Sequence, residues 1–183
     1  MSNENTKIGY ALASSTGSGF IGAILVTDCK GFPLEFQYTD PILPTKIQQV
    51  LYGSGLEQYL KVDVILDSLM KVISNKVDIL IVKDEQMLGY KSSKVDIVRM
   101  SPVNIAETTQ ENEIQKTKDN EYIVKFSKTS PPLRIQFATA VDENNPVYTK
   151  VMELTKYTNN FIDLTEPLER VQKTVELILS KEN

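Results

Sequence analysis

Residues 20–53, FIGAILVTDCKGFPLEFQYTDPILPTKIQQVLYG, combine strand, turn and helix signals in one short segment. Its nearly continuous apolar start predicts a strand that is covered on both faces and lies centrally in a sheet. The turn composition that follows, with Gly31 free to adopt positive φ, predicts a hairpin. Apolar and polar residues alternate over 34–39, which predicts a second, half-exposed strand. Two prolines then end this strand, and helical spacing begins at Thr45.

The segments outside this stretch carry further strand and helix signals. The helical spacing after Thr45 predicts either two helices or one helix kinked at Gly53 and Gly55, because each glycine inside a helix costs about 1 kcal/mol relative to alanine. Residues 104–120 are polar and charged, which favours an exposed mobile loop or a short surface helix. Strands are predicted over 8–13, 77–82, 94–100, 122–128 and 133–141.

The C-terminal part is predicted to be helical over 146–181. Asn145 is a good helix cap, and Pro146 suits the first helical position, where no backbone N–H is needed. Taken with the strands, this pattern predicts a single α+β domain over residues 1–183. The expected architecture is a mainly antiparallel sheet of about six or seven strands with helices packed on it.

The composition excludes several kinds of site. The chain has no histidine, so it contains no Ser-His-Asp triad, no Cys-His dyad and no imidazole-ligated metal site. Its one cysteine, Cys29, excludes an internal disulfide and suits a reducing compartment. The net charge of −4 opposes nonspecific attraction to nucleic acid or anionic membranes. No catalytic residue, cofactor or metal is predicted.

The glycines of residues 17–22 match the spacing G-x-G-x-x-G of dinucleotide-binding loops. That motif requires a helix to begin within it, whereas β-branched residues follow here, so a hairpin connection is the favoured interpretation. A weaker alternative is a backbone nest for an anion in residues 14–19, formed around Ser18 and Gly19.

The helix start after the second proline is the other candidate site. Thr45 and Lys46 lie where exposed backbone N–H groups can receive an anion or a partner's carboxylate. Gln48 and Tyr52 are four residues apart and therefore share a helix face. A capped structural helix explains the same residues without any ligand. Asp63 and Asp67 also share a face and suit a hard cation such as Mg²⁺, although solvated acids are the commoner explanation.

Two resemblances extend this reading. Residues 33–59, with PLEFQYT, PILPT and LYG, resemble a family of hypothetical bacterial proteins, as does FIDLTEPLER over 161–170. That resemblance implies no activity. The hairpin FIGAILVTDCKGFPLEF is similar to the central hairpin of roadblock, longin and profilin-like domains. Such domains are mostly binding and scaffolding modules, which the resemblance implies by analogy.

The function expected from the sequence is therefore non-enzymatic. We expect a protein-interaction or scaffold subunit of a cytoplasmic bacterial complex, with a protein partner or a second copy of the chain bound. No nucleic-acid signature and no membrane-spanning segment is recognised. The alternative is a domain that binds a small anionic ligand or nucleotide, using residues 14–19 and the helix start at Thr45.

Overall fold

The computed structural model describes residues 5–17, 19–91, 94–103, 112–126 and 131–181. Their strands form one eight-stranded sheet in the order β3-β2-β1-β4-β5-β8-β7-β6. The strands are β1 (Lys7–Thr16), β2 (Gly19–Asp28), β3 (Pro33–Tyr38), β4 (Ile79–Val82), β5 (Asp96–Pro102), β6 (Glu113–Lys118), β7 (Glu121–Lys125) and β8 (Leu133–Phe137).

The sheet is mixed but mainly antiparallel. Among the described residues, five of the seven strand pairings are antiparallel, and only β1–β4 and β4–β5 are parallel. The predicted α+β class is therefore confirmed. The apolar strand of the opening stretch, β2, is buried on both faces as predicted, but it lies one strand from the sheet edge rather than at the centre.

One face of the sheet is covered by the two C-terminal helices, α4 (Pro146–Thr158) and α5 (Glu166–Lys181). The cap predicted for α4 is confirmed, because the Asn145 side chain accepts a 2.9 Å hydrogen bond from the backbone N–H of Val147. The core on this side includes Tyr10, Ile81, Ile135, Val151 and Val171.

The other face is covered by a helical arm. It consists of α1 (Lys46–Tyr52), a 3₁₀ turn (Gly53–Gly55), α2 (Leu56–Tyr59), a π-helical segment (Leu60–Leu66) and α3 (Asp67–Val72). The predicted interruption at the glycines is confirmed. The π-helical segment lies so close to β2 that a Cβ on Gly22 would be 2.1 Å from Cγ2 of Ile65. A glycine at position 22 is what allows this approach.

The prediction of a loop or surface helix over 104–120 is wrong in its second half. Glu113–Lys118 form β6, which pairs antiparallel with β7 at the sheet edge. Its side chains are nearly all exposed, so the strand is held by the backbone pairing and carries little apolar signal. Residues 104–111 lie outside the described part of the chain.

No helix within the described residues is both long enough and apolar enough to cross a lipid bilayer.

Candidate functional site

The candidate site lies at the edge of the sheet where the parallel strands end. β1, β4 and β5 run in the same direction, so their carboxyl ends meet at this edge. Ligands of sheets with parallel strands bind outside such ends. Lys83, Asp84 and Glu85 follow directly after β4, and a 3₁₀ turn (Glu85–Gly89) continues from them.

An ion-pair cluster lies above the end of β4. The ammonium of Lys61, in the π-helical segment, lies 2.7 Å from Oε1 of Glu57 and 3.6 Å from Oδ2 of Asp84. Only 10% of the Lys61 side chain is exposed, whereas half of the Glu57 side chain is. Lys61 therefore lies between the two carboxylates and compensates one of their two negative charges.

A polar surface continues from this edge over the neighbouring strands. Alternate residues of β5, β8 and β7 point to the α4–α5 core, so the residues between them lie on the opposite face. The apolar cluster on that opposite face ends at Ile97 of β5. Beyond Ile97 the side chains are polar apart from Ile123, and they stand in two cross-strand rows. One row is Arg99, Gln136 and Glu121, and the next is Ser101, Arg134 and Ile123.

Direct contacts join Arg99 and Gln136 of the first row to each other and to the segment after β4. Nη1 of Arg99 donates to Oε1 of Gln136 at 3.2 Å, and its Nε donates to the backbone oxygen of Lys83 at 3.0 Å. The Gln136 amide then donates to Oε1 of Glu85 at 2.9 Å. These bonds join β8 to the turn that follows β4.

Glu121 is the acid of this surface and is surrounded by donors. Its carboxylate lies 3.6 Å from Nε of Arg134 and 3.4 Å from Nζ of Lys118, and it accepts a 2.9 Å hydrogen bond from Thr117. We call Arg99, Ser101, Lys118, Glu121, Arg134 and Gln136 the polar face. It carries three cations and one acid, whereas the whole chain has a net charge of −4.

A cavity of about 360 Å³ borders the polar face. It lies between the 3₁₀ turn after β4, the end of β8 and the arm residue Gln58. Its lining is formed by Gln58, Glu85, Gln86, Leu88, Gly89, Asn120, Gln136, Phe137 and Ala138.

The helix-start residues predicted as a site are brought together in a different role. Thr45 and Gln48 form a reciprocal capping box, in which the Thr45 hydroxyl accepts from the Gln48 backbone and the Gln48 side chain accepts from the Thr45 backbone. Lys46 is exposed. The Tyr52 ring stacks on Tyr59 at a centroid distance of 4.2 Å, and hydrogen bonding with Tyr59 raises the pKa of Tyr52.

The predicted anion loop over 14–19 is largely strand. β1 continues to Thr16, and β2 begins at Gly19, whose φ is +125° and which lies against the backbone of Ile42. The structure thus brings Gly19 close to the segment that leads into α1. Ser18 lies outside the described residues. As expected, a strand and not a helix follows the glycine motif.

The Asp63 and Asp67 pair does not form a cation site with a third acid. Asp67 is paired with Lys71 at 2.5 Å and accepts from the Tyr90 hydroxyl at 3.3 Å. Across the described ranges, no group of three or more His, Cys, Asp or Glu side chains is placed to hold a metal ion. Cys29, predicted in a turn, is buried.

The sequence interpretation missed Arg99, Arg134 and Gln136. The signal was present, because these polar residues alternate with the apolar residues of two predicted strands. Alternation of this kind means that the polar positions share one face. Their proximity depends on the pairing of β5 with β8, which brings together Arg99 and Gln136 from 37 residues apart.

Comparison with known proteins establishes the fold. No family model matches the chain, and no curated protein matches it. Endonuclease V from Streptomyces avermitilis superposes with a TM-score of 0.62 at 9% identity, over 98% of this chain and 83% of that one. Marinitoga piezophila Argonaute with 5′ OH guide RNA superposes with a TM-score of 0.53 at 13% identity, over 93% of this chain and 29% of that one. The same Argonaute with guide RNA and target DNA superposes with a TM-score of 0.53 at 11% identity, over 94% of this chain and 29% of that one.

These likenesses correct the function expected from the sequence. The prediction of a non-enzymatic interaction or scaffold subunit is wrong, because the fold is shared with an endonuclease and with a protein that binds guide RNA and target DNA. The prediction that the chain carries no nucleic-acid-binding signature is wrong for the same reason. The net charge is an average over the whole molecule, whereas the polar face is locally cationic. The alternative of a small anionic ligand or nucleotide held by residues 14–19 and the helix start at Thr45 stays a prediction. The resemblance to roadblock, longin and profilin-like domains stays a prediction.

Proposed function

We propose that this chain is a nucleic-acid-binding domain of a nucleic-acid-processing enzyme, and that the polar face contacts the phosphodiester backbone. The observation that carries the proposal is the position of Arg99 and Arg134. Both lie on a sheet face that borders the carboxyl ends of the parallel strands, in a fold shared with Endonuclease V. The cytoplasmic location expected from the sequence is part of this proposal.

The chemistry of the polar face suits phosphate. Arginine presents a planar fork of donors that matches phosphate oxygens and stays charged at every physiological pH. Gln136 fixes Arg99 on one side, and the Lys83 carbonyl fixes it on another, so its guanidinium is oriented before a ligand arrives. Orientation in advance lowers the entropy cost of binding.

Binding is tested by fluorescence anisotropy with labelled 20-nucleotide single-stranded DNA, single-stranded RNA and duplex DNA at low salt. The test variants are Arg99→Gln, Arg134→Gln and the double variant. Lys173→Gln is the matched control, because Lys173 is an exposed cation on α5, across the sheet. We expect the double variant to bind at least about tenfold more weakly, and the salt slope to fall by about 0.7 for each lost contact with a single strand.

Two results would overturn the binding proposal: no binding of any strand by the native chain at low salt, or equal loss of affinity in the double variant and in Lys173→Gln. The processing part has its own readout. The same strands are incubated with Mg²⁺ or with EDTA and separated on denaturing gels. Shortened products that the native chain makes and the double variant does not would support it, and intact strands would contradict it.

A further inference from the structure

The cavity beside the polar face has an unusual lining. Four carboxamides and one carboxylate surround it, and the apolar contribution comes from Leu88, Phe137 and Ala138. Its volume of about 360 Å³ lies within the range of about 300–1,000 Å³ that small-ligand sites occupy. A flat polar ring with hydrogen-bonding groups on its edge is the class of ligand that fits such a lining.

The polar groups divide into fixed and available ones. Gln136 is held by Arg99 and Glu85, and the Asn120 amide donates to the backbone oxygen of Phe137 at 2.9 Å. Gln58 and Gln86 are exposed at the cavity, and neither side chain has a hydrogen-bond partner among the described residues. Two amides at this cavity are therefore free to meet a ligand.

Glu85 decides which ligand edge is preferred. Its carboxylate accepts one hydrogen bond from Gln136 and retains further acceptor capacity at the cavity. An ionised carboxylate cannot donate, so it favours an amino group and disfavours a carbonyl oxygen. Glutamine pairs with the N6 and N7 edge of adenine, and a carboxylate accepts from the N4 amino group of cytosine.

We propose that this cavity holds one unpaired adenine, recognised through its exocyclic amino group, from a strand whose backbone lies on the polar face. The inference rests on the proposed function and deepens it to single strands with an unpaired adenine. An unpaired base enters a protein pocket at a smaller cost than a paired one, because no base-pairing partner has to be given up.

The test uses pairs of strands that differ only at the base edge. Thymidine 15-mers carry a central adenine, hypoxanthine or abasic nucleotide, and their affinities are measured by anisotropy. Hypoxanthine replaces the amino group of adenine with a carbonyl oxygen and otherwise keeps its shape. We expect the native chain to bind the adenine strand at least about fivefold more tightly than the other two.

Two variants locate the effect. Ala138 is exposed at the cavity, so Ala138→Phe fills it from the surface and should remove the preference for adenine. Ala140→Phe is the matched control, because Ala140 is also exposed but lines a different cavity, and the preference of this variant should match that of the native chain. Glu85→Gln gives the position a donor, so hypoxanthine should be bound as well as adenine.

Free nucleosides separate this inference from the proposed function. Adenosine and inosine at millimolar concentration are compared by NMR titration of the native chain, Ala138→Phe and Ala140→Phe. Binding of adenosine that only Ala138→Phe abolishes supports the cavity, even if no strand binds the polar face. Equal affinity of the native chain for all three strands overturns the inference while leaving arginine-dependent strand binding intact. A preference that survives in Ala138→Phe also overturns it.

Discussion

Arg170 and Gly31 are joined across 139 residues of sequence: both terminal nitrogens of the Arg170 guanidinium donate to the Gly31 carbonyl oxygen at 3.0 Å. Gly31 lies in the turn between β2 and β3 with φ at +83°, and Arg170 lies on α5. The third nitrogen donor, Nε, bonds to Glu166 on the same helix at 3.0 Å. One side chain thus fixes the last helix to the first hairpin.

Replacing Arg170 with alanine should destabilise the whole domain. We expect a loss of about 1–2 kcal/mol in the free energy of unfolding, near the lower end for charged hydrogen bonds because about a third of the side chain is exposed. Urea denaturation followed by circular dichroism measures it. Lys173→Ala is the control, since its pair with Glu169 is mostly exposed and should contribute less than about 0.5 kcal/mol. Equal effects of both changes would show that the bonds to Gly31 carry no stability.

Glu35 should make stability fall in acid. Hydrogen bonds from the Ser74 backbone, then from the Asn75 side chain and backbone, lower the pKa of Glu35 from 4.5 to about 2, against a smaller opposing effect of burial. Because the folded pKa is the lower one, this stabilisation is complete above about pH 4.5 and is lost as pH falls towards 2. Thermal unfolding between pH 2 and 7 should show a smaller acid-induced decrease in Glu35→Gln. An unchanged pH profile in that variant would contradict the prediction.

Gly22 should tolerate no side chain while the π-helical segment keeps its place. Gly22→Ala would put a methyl group 2.1 Å from Cγ2 of Ile65, and overpacking of this kind costs about 1–3 kcal/mol. Gly55→Ala is the control, because no atom lies within 4 Å of its Cβ position, and it should be neutral or slightly stabilising. Combining Gly22→Ala with Ile65→Ala should cost less than the sum of the two single changes. Strict additivity, measured by urea denaturation, would show that the two positions do not press on each other.

Glu121→Gln should tighten nucleic-acid binding. The change removes the acid of the polar face, which now compensates Arg134 and Lys118, and the amide oxygen can still accept from Thr117. We expect affinity for a single strand at low salt to rise about two- to fivefold and its salt dependence to steepen. Anisotropy at several salt concentrations gives both numbers. Weaker binding in a folded variant would mean that the polar face is not where the strand lies.

The features predicted correctly from the sequence are those that local chemistry specifies. The Asn145 cap, the turn at Gly31 and the break at the glycines after α1 depend on residues within a few positions of one another. The capping box of Thr45 and Gln48 is equally local, and it explains why these two residues looked like a site. A helix start and an anion site use the same backbone N–H groups.

The features that were missed depend on pairing over long distances. β6 has exposed side chains and no apolar alternation, so only its partner β7 makes it a strand. Arg99 and Arg134 belong to strands far apart in sequence, and they become neighbours through the β5–β8 register. Net charge could not reveal them, because acids elsewhere outweigh the local excess of cations.

The π-helical segment Leu60–Leu66 changes the rotation of the helix that follows it in the arm. One residue more than an α-helix needs turns everything after it by about 100° around the helix axis. Leu69 of α3, after the segment, is buried in the core, and Lys61, within the segment, lies above the end of β4. Deleting one residue from the segment would give a more regular helix, but it would rotate α3 and turn Leu69 away from the sheet. We therefore expect the arm to tolerate a regular α-helix less well at the π-helical segment than elsewhere.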